Sequence, residues 1–297
     1  MPVFRFYAFA LAALTALAGC KAPARDATPA VEVLDDFGVP IAFAKTPQRI
    51  VSLNPTTTEL LFAIGASKRI VGRSQWDVFP DSALAIPSLG QALRPNVEAV
   101  LAARPDLVLL YASEDNRTAL DRLRQAGVTA IAFRIDSIAE FERDTRLIGR
   151  LTGDSVRADA LVDSIHATLE RVRTATALLP RPTVFIHAWD RPIIAIGAGS
   201  FLSQLVEIAG GRNVYDDIAA PSGTVTLEDV VKRNPEYVFA SPVSAPKMRA
   251  SDRWRTVPAV RNGKVLVYDT VLVGRPSANL GAAAVSLAKL LHPGVLP

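Results

Sequence analysis

The chain has one cysteine, Cys20, among 297 residues, which excludes any disulfide within it. Its three histidines, His166, His187 and His292, are far apart, and no HExxH is present. Spacing therefore defines no metal cluster, and a receptor for a bare Zn²⁺ or Mn²⁺ ion would need more such ligands. No Walker loop and no Lys/Arg run interleaved with aromatics occurs, so no nucleic-acid partner is expected from a formal charge of only +4. Ser200 does not sit in Gly-x-Ser-x-Gly, and Gly197-Ala198-Gly199-Ser200-Phe201-Leu202 lacks the third glycine of a dinucleotide fingerprint. That stretch reads as a turn into a helix. With no nucleophile–base pair and no metal cluster in view, neither an enzyme nor a bound cofactor is expected.

What is present is globular: 49% hydrophobic and 21% charged residues, enough for one large domain or two lobes of ordinary size. The only apolar run near a spanning length, Phe6 to Leu17, is too short and follows an early Arg5. It ends in Leu17-Ala18-Gly19-Cys20, a tetrapeptide resembling the bacterial lipobox. Residues 1–19 thus read as a lipoprotein signal peptide and Cys20 as the lipidation site. The expected location is periplasmic, on a membrane through acyl chains each stabilised by about 0.8 kcal/mol per buried CH₂. Residues 20–30 read as a flexible tether.

Beyond it, strand and helix signals alternate. Val31 to Gly38 reads as a strand and a turn, and Arg49-Ile50-Val51-Ser52-Leu53 as a strand running into Asn54-Pro55-Thr56-Thr57-Thr58-Glu59. Those threonines are placed to cap a helix over Glu59–Ile64, closed by Gly65. Further strands are expected at Ile70–Gly72, Leu107–Tyr111, Ala130–Phe133, Thr183–His187, Ile193–Ile196, Tyr237–Ala240 and Val265–Tyr268. Near-continuous apolar strands between helices predict parallel sheets covered on both faces. Ser155 to about Leu179 is one helical run without Gly or Pro, roughly 37 Å long at 1.5 Å per residue, ended by Pro180-Arg181-Pro182. The expected architecture is α/β. An N-terminal lobe (31–153) and a C-terminal lobe (181–297), both Rossmann-like, are joined by one long rigid α-helix (154–180).

One pattern occurs twice. Val97-Glu98-Ala99-Val100 precedes Pro105-Asp106-Leu107-Val108, and Leu227-Glu228-Asp229-Val230 precedes Pro235-Glu236-Tyr237-Val238; each proline lies seven positions after the glutamate. Leu205–Gly210 likewise echoes Leu60–Gly65. Two related lobes, each presenting one acid at the same place, suggest symmetric docking. Aromatic side chains fall at or after predicted strand ends: Trp76, Tyr111, His187 and Trp189. Carboxyl ends of parallel strands are where open α/β sheets bind ligands, so these residues are placed to line a cleft for a large, flat molecule. Arg275, in a loop before the last helix, is placed to meet an acidic ligand group.

From about residue 48 to the end, these segments resemble the periplasmic-binding proteins of ABC importers for vitamin B12, siderophores and haem. The resemblance is carried by Arg49–Glu59, Gly65–Gly72, Trp76–Pro80, Asn96–Val108, Gly210–Val214 and Thr226–Glu228. It implies the class III periplasmic-binding-protein fold. It also implies a monomeric receptor that hands a small-molecule metal chelate to a permease dimer with its ATPase. On the family's pattern Glu98 and Glu228 are the permease-docking acids. Asn54, Pro55, Thr56, Trp76, Tyr111, His187, Trp189 and Arg275 are the ligand-binding candidates. Cobalamin-binding proteins are the most similar subgroup, through Ser74 to Pro80 and Tyr111, although Ala92 and Ser222 stand about where they often carry tryptophans. The transported ligand is then expected to be cobalamin or a related chelate. A ferric siderophore read by Arg275 and Arg94, or haem held by Tyr111 or His187, are the alternatives. A surface lipoprotein enzyme using the same cleft is a lesser one.

Overall fold

Two larger sheets, one of four strands and one of six, divide the chain. The computed structural model describes Met1, residues 31–43 and residues 45–296. The signal-peptide and tether expectations, with Cys20, lie outside the described residues beyond Met1.

The first part begins with a two-stranded ribbon, β1 (Val31–Leu34) and β2 (Pro40–Phe43). There follow β3 (Ile50–Ser52), α1 (Pro55–Ala63), β4 (Ile70–Arg73), α2 (Val97–Ala102), β5 (Leu107–Tyr111), α3 (Glu114–Gln125), β6 (Thr129–Phe133) and α4 (Ile138–Thr152). β4-β3-β5-β6 form a wholly parallel sheet. Leu107–Leu110 are buried throughout, as an apolar strand covered on both faces requires. α5 (Ser155–Thr176) then runs 22 residues, packing on α4 at one side and on the last helix at the other.

The second part contains β7 (Thr183–Asp190), β8 (Ile193–Ile196), α6 (Phe201–Ile208), β9 (Arg212–Asn213), β10 (Ser222–Val225), α7 (Leu227–Arg233) and β11 (Tyr237–Ala240). It ends with α8 (Ser244–Ala250), α9 (Pro258–Arg261), β12 (Val265–Val267), α10 (Thr270–Val273) and α11 (Leu280–Leu291). Here the parallel expectation is only partly met. β9, β7, β11 and β12 are parallel, but β8 turns back on β7 and β10 pairs with β8, both antiparallel. The physical reason is the two-residue turn Arg191-Pro192, too short for a crossover.

The internal repeat is visible in the backbone. α1 and α6 both end on a left-handed glycine, Gly65 at φ 83° and Gly210 at φ 81°. α2 and α7 are capped alike: Asn96 Oδ1 accepts from the Ala99 amide at 3.2 Å and Thr226 Oγ1 from the Asp229 amide at 3.1 Å. Before each proline stands a residue with positive φ, Arg104 at 48° and Asn234 at 45°. The next residue then donates to the strand beside it, Asp106 to Arg49 O and Glu236 to Thr183 O, each at 2.9 Å.

Three apolar clusters form among the described residues. One covers the far face of the first sheet, through Val51, Val108 and Leu120, and one that of the second, through Phe185, Val238 and Trp254. The third contains Ile50, Leu61 and Phe141, continues through Ile165, Leu169 and Val172 of α5, and reaches Leu205, Leu280 and Leu287. One core thus passes through the bridging helix into both halves.

Candidate functional site: a cleft between two lobes

The N-terminal sheet has its topological switch between β3 and β5, since β3 continues to β4 on one side and β5 lies on the other. Such crevices hold ligands in open α/β sheets. Asn54, following β3, and Tyr111, ending β5, flank this one. The helix after β3 begins earlier than the sequence reading placed it. α1 starts at Pro55, and its cap is Asn54, whose side chain accepts from the Thr56 amide at 3.0 Å.

The threonines expected to cap are instead buried inside the first turn. Thr57 shares a 2.6 Å hydrogen bond with Ser52, and Thr58 Oγ1, which donates to Asp77 Oδ2, lies 2.8 Å from both that oxygen and Ser52 Oγ. Asp77 also accepts from Ser74 Oγ at 2.7 Å. This network fixes the Ser74–Pro80 loop, which carries Trp76 with 59% of its surface exposed. Burial pushes the Asp77 carboxyl above its ordinary range against these hydrogen bonds.

The second lobe closes on this crevice. The Phe201 amide donates to the Asp136 carbonyl at 2.6 Å, and the Ile138 amide to Gln204 Oε1 at 3.0 Å. Ser200 caps α6, accepting from the Leu202 amide at 3.2 Å, so the glycine-rich stretch is a turn into a helix as expected. Gly197 and Gly199 are required by crowding. A Cβ at Gly197 would stand 2.2 Å from the Ala220 carbonyl oxygen, and one at Gly199 2.5 Å from that of Ala219.

Between the lobes lie two adjoining cavities. The larger, about 750 Å³, has Tyr111, Ser113, Arg134 and Asp136 on one side and Gly199 and Ser222 on the other. The smaller, about 250 Å³, shares Tyr111, Asp136 and Pro221 with it and adds Asn54, Thr56 and Arg275. The Tyr111 hydroxyl donates to Asp136 Oδ1 at 2.7 Å. Burial first, then this bond, pushes the Tyr111 phenol far above its usual value, so it remains protonated.

Arg275 is engaged across the lobes. Its guanidinium donates to Glu59 of α1, whose side chain is 4% exposed against 25% for Arg275. Burial raises the Glu59 carboxyl's pKa, Arg275 opposes the shift, and nearby Asp77 adds to it. Sequence reasoning missed the pairing of Glu59: its partner is 216 residues away, and no local pattern links them.

The candidates therefore divide. Asn54, Thr56, Tyr111 and Arg275 come together at the cleft; Pro55 starts α1 and lines neither cavity. His187 and Trp189 line a different cavity in the C-terminal lobe, and Trp76 stands on its exposed loop. Arg94 is paired with Asp115 at 2.6 Å away from the cleft. Glu98 and Glu228 are both exposed, each in the first turn of its helix; Glu98 lies 3.5 Å from Arg122. Among the described residues, no group of three or more His, Cys, Asp or Glu side chains is placed to hold a metal ion.

Two α/β lobes that share one core and close on a cleft lined from both sides define a solute-binding protein. The chain belongs to the periplasmic binding protein family, whose model matches residues 50–272. It is similar to an uncharacterized ABC transporter substrate-binding lipoprotein of Bacillus subtilis, 28% identical over 97% of this chain and 96% of the relative. It is 30% identical to a cobalamin-binding protein of Halobacterium salinarum over 87% of this chain and 73% of the relative. In fold it matches the crystal structure of the periplasmic vitamin B12 binding protein of Vibrio cholerae, with a TM-score of 0.72, 24% identity and coverage of 83% and 97%. Membership makes it a substrate-binding protein of the ABC-importer type.

Proposed function

We propose that this protein captures a corrinoid, cobalamin or a close relative, between its two lobes and delivers it to the permease of an ABC importer. It acts as an exported lipoprotein held on a membrane through Cys20. The observation that carries the ligand class is the 30% identity to a cobalamin-binding protein over most of the chain. The cleft is compatible with it: polar side chains of the lobe joint, Asn54, Thr56 and Tyr111, face a cavity open enough for part of a large ligand.

The alternatives have less support in the same geometry. For haem, the two candidate axial ligands are separated: the Tyr111 hydroxyl is engaged by Asp136 at 2.7 Å, and His187 lines a different cavity. Capture of an acidic ferric siderophore by arginines calls for free guanidinium groups, and Arg275 and Arg94 are paired with Glu59 and Asp115. Glu98 and Glu228 sit at equivalent exposed helix starts and serve as the docking acids for a two-fold permease, giving register more than affinity.

Calorimetric titration with cyanocobalamin, haemin and several ferric siderophores tests the ligand. Tight binding of cyanocobalamin alone is expected; tight binding of none would remove the reading. Charge reversal at both acids, E98R with E228R, should abolish uptake and leave ligand affinity unchanged. Undiminished uptake at normal expression would end the docking assignment.

A further inference from the structure

One stretch of the C-terminal lobe carries charge of nearly a single sign. From Lys247 to Lys264 stand Lys247, Arg249, Arg253, Arg255, Arg261 and Lys264 against one acid, Asp252. The formal charge of the whole chain is only +4, so the rest of it is close to neutral.

The fold turns this segment into a face. α8, the turn after it, α9 and the entry to β12 pack over β11 and β12, where Met248, Trp254, Val257, Val260 and Val265 enter the apolar cluster. The cations fall between those buried positions, and all six are exposed. Arg255 pairs with Asp252 at 3.4 Å and Lys264 with Glu236 at 3.6 Å, surface contacts of the kind that contribute little. Lys247, Arg249, Arg253 and Arg261 join no ion pair among the described residues. Arg249 donates to the Val265 carbonyl at 2.7 Å, which holds the guanidinium without neutralising it.

Apolar groups stand at one end of this face. Trp189, 62% exposed, and Val243, 68% exposed, line the same cavity as Arg191, Lys247 and Arg253. Val243 follows β11, and α7, which begins at Leu227-Glu228, is joined to β11 by the short turn Asn234-Pro235-Glu236. A helix and a strand so joined run in opposite directions, so Val243 and Glu228 lie at the same end of the lobe.

Exposed cations with an indole and an aliphatic tip beside them match an anionic bilayer. The cations attract lipid phosphates, and the apolar tips enter the headgroup layer. We propose that the α8–α9 face of the C-terminal lobe rests on an anionic phospholipid surface. A substrate-binding protein of an importer works beside such a surface. The contact turns the Glu228 end of the lobe toward the membrane in which a permease sits. That orientation rests on the docking reading above; the contact itself needs neither permease nor solute, so the two can fail separately.

Sedimentation with vesicles is the test. The mature chain from Cys20, with Cys20→Ser so that no acyl chain is attached, is mixed with vesicles of phosphatidylcholine and phosphatidylglycerol in equal parts, or of phosphatidylcholine alone. Binding is expected to the mixed vesicles only and should fall with added salt. A Lys or Arg near the surface contributes roughly fivefold in partitioning, so K247A/R253A should weaken binding at least tenfold. R171A/K289A removes the same charge from α5 and α11, on the opposite face of the second sheet, and should change binding less than twofold.

Tryptophan emission should shift to the blue on binding. Trp189→Phe should abolish the shift, and Trp76→Phe should keep it. No binding, equal binding to both kinds of vesicle, or equal weakening by the two double variants overturns the proposal, and so does a blue shift that Trp76→Phe removes instead. Binding of heparin or RNA without binding of the mixed vesicles would also overturn it, assigning the cations to a different polyanion. Loss of uptake in E98R/E228R with vesicle binding intact would leave both readings standing; vesicle binding with undiminished uptake in that variant would remove the docking reading alone.

Discussion

Replacing Arg275 with alanine leaves Glu59 as a carboxylate buried at the lobe joint beside a second acid, Asp77. At contact distance in an effective dielectric near 20, a guanidinium–carboxylate attraction is about 5 kcal/mol before desolvation. Removing one partner of a buried pair typically costs about 3–5 kcal/mol. Arg275 is one-quarter exposed, which places the expectation at the lower end, roughly 3 kcal/mol.

The sign with pH follows from Glu59. Burial and Asp77 raise its pKa above 4.5, and the variant loses the opposing influence of Arg275. For an acid whose folded pKa is raised, the stabilisation is fully present below the unfolded value and is lost as pH rises through the folded one. The deficit of R275A should therefore be smaller at pH 5 than at pH 8, because protonation of Glu59 removes the unpaired buried charge. Urea unfolding of wild type, R275A, E59Q and the double variant at both pH values gives the coupling directly. In E59Q/R275A the difference between the deficits at the two pH values should vanish and part of the stability return. A deficit below about 1 kcal/mol at pH 8, or one equal at both pH values, would refute the account of a buried interlobe pair.

Three further outcomes are expected. Gly197→Ala should destabilise by roughly 1–3 kcal/mol or more by urea unfolding, because its methyl group meets backbone carbonyls that cannot move like a side-chain end. Asp144, buried beside Arg143 in α4, has its pKa pushed up to about 7 chiefly by burial. Its contribution is fully present below the ordinary 3.8 and lost as pH rises through about 7, so thermal melts should fall between pH 5 and pH 8 more steeply for wild type than for Asp144→Asn. Asn54→Ala removes the α1 cap and should cost about 1 kcal/mol in the same melts, with weaker ligand binding because the cap also lines the cleft.

What could be read from residues alone was local. β5 has the boundaries that an unbroken Leu-Val-Leu-Leu-Tyr run implies, and α5 begins where the Gly- and Pro-free run begins. The duplicated glutamate–proline spacing located α2 and α7 because each copy is complete within about ten residues. The α1 start was misplaced because Asn, Pro and Thr all favour helix starts. The choice among them was made by Ser52 and Asp77, which engage the threonines from elsewhere in the fold. The antiparallel β8 and β10 were missed for a similar reason: apolar runs mark strands without marking direction. The site divided where the topology divides it. Strand ends pointed to Tyr111, His187 and Trp189; two sheets have two sets of strand ends, and only the pairing order sends His187 and Trp189 to the second. The Glu59–Arg275 pair has no signature in one sequence, because it joins a helix of one lobe to a loop of the other.

The apolar cluster that threads α5 has a practical corollary. One apolar cluster through both halves predicts a single unfolding transition in heat or denaturant. Occupancy anywhere that favours the native state stabilises the whole chain, by about 2.7 kcal/mol at a ligand concentration of 100 Kd, and so raises its melting temperature. A thermal-shift panel of corrinoids, porphyrins and ferric chelates therefore reads every cavity at once, before anything is known of which one a compound enters.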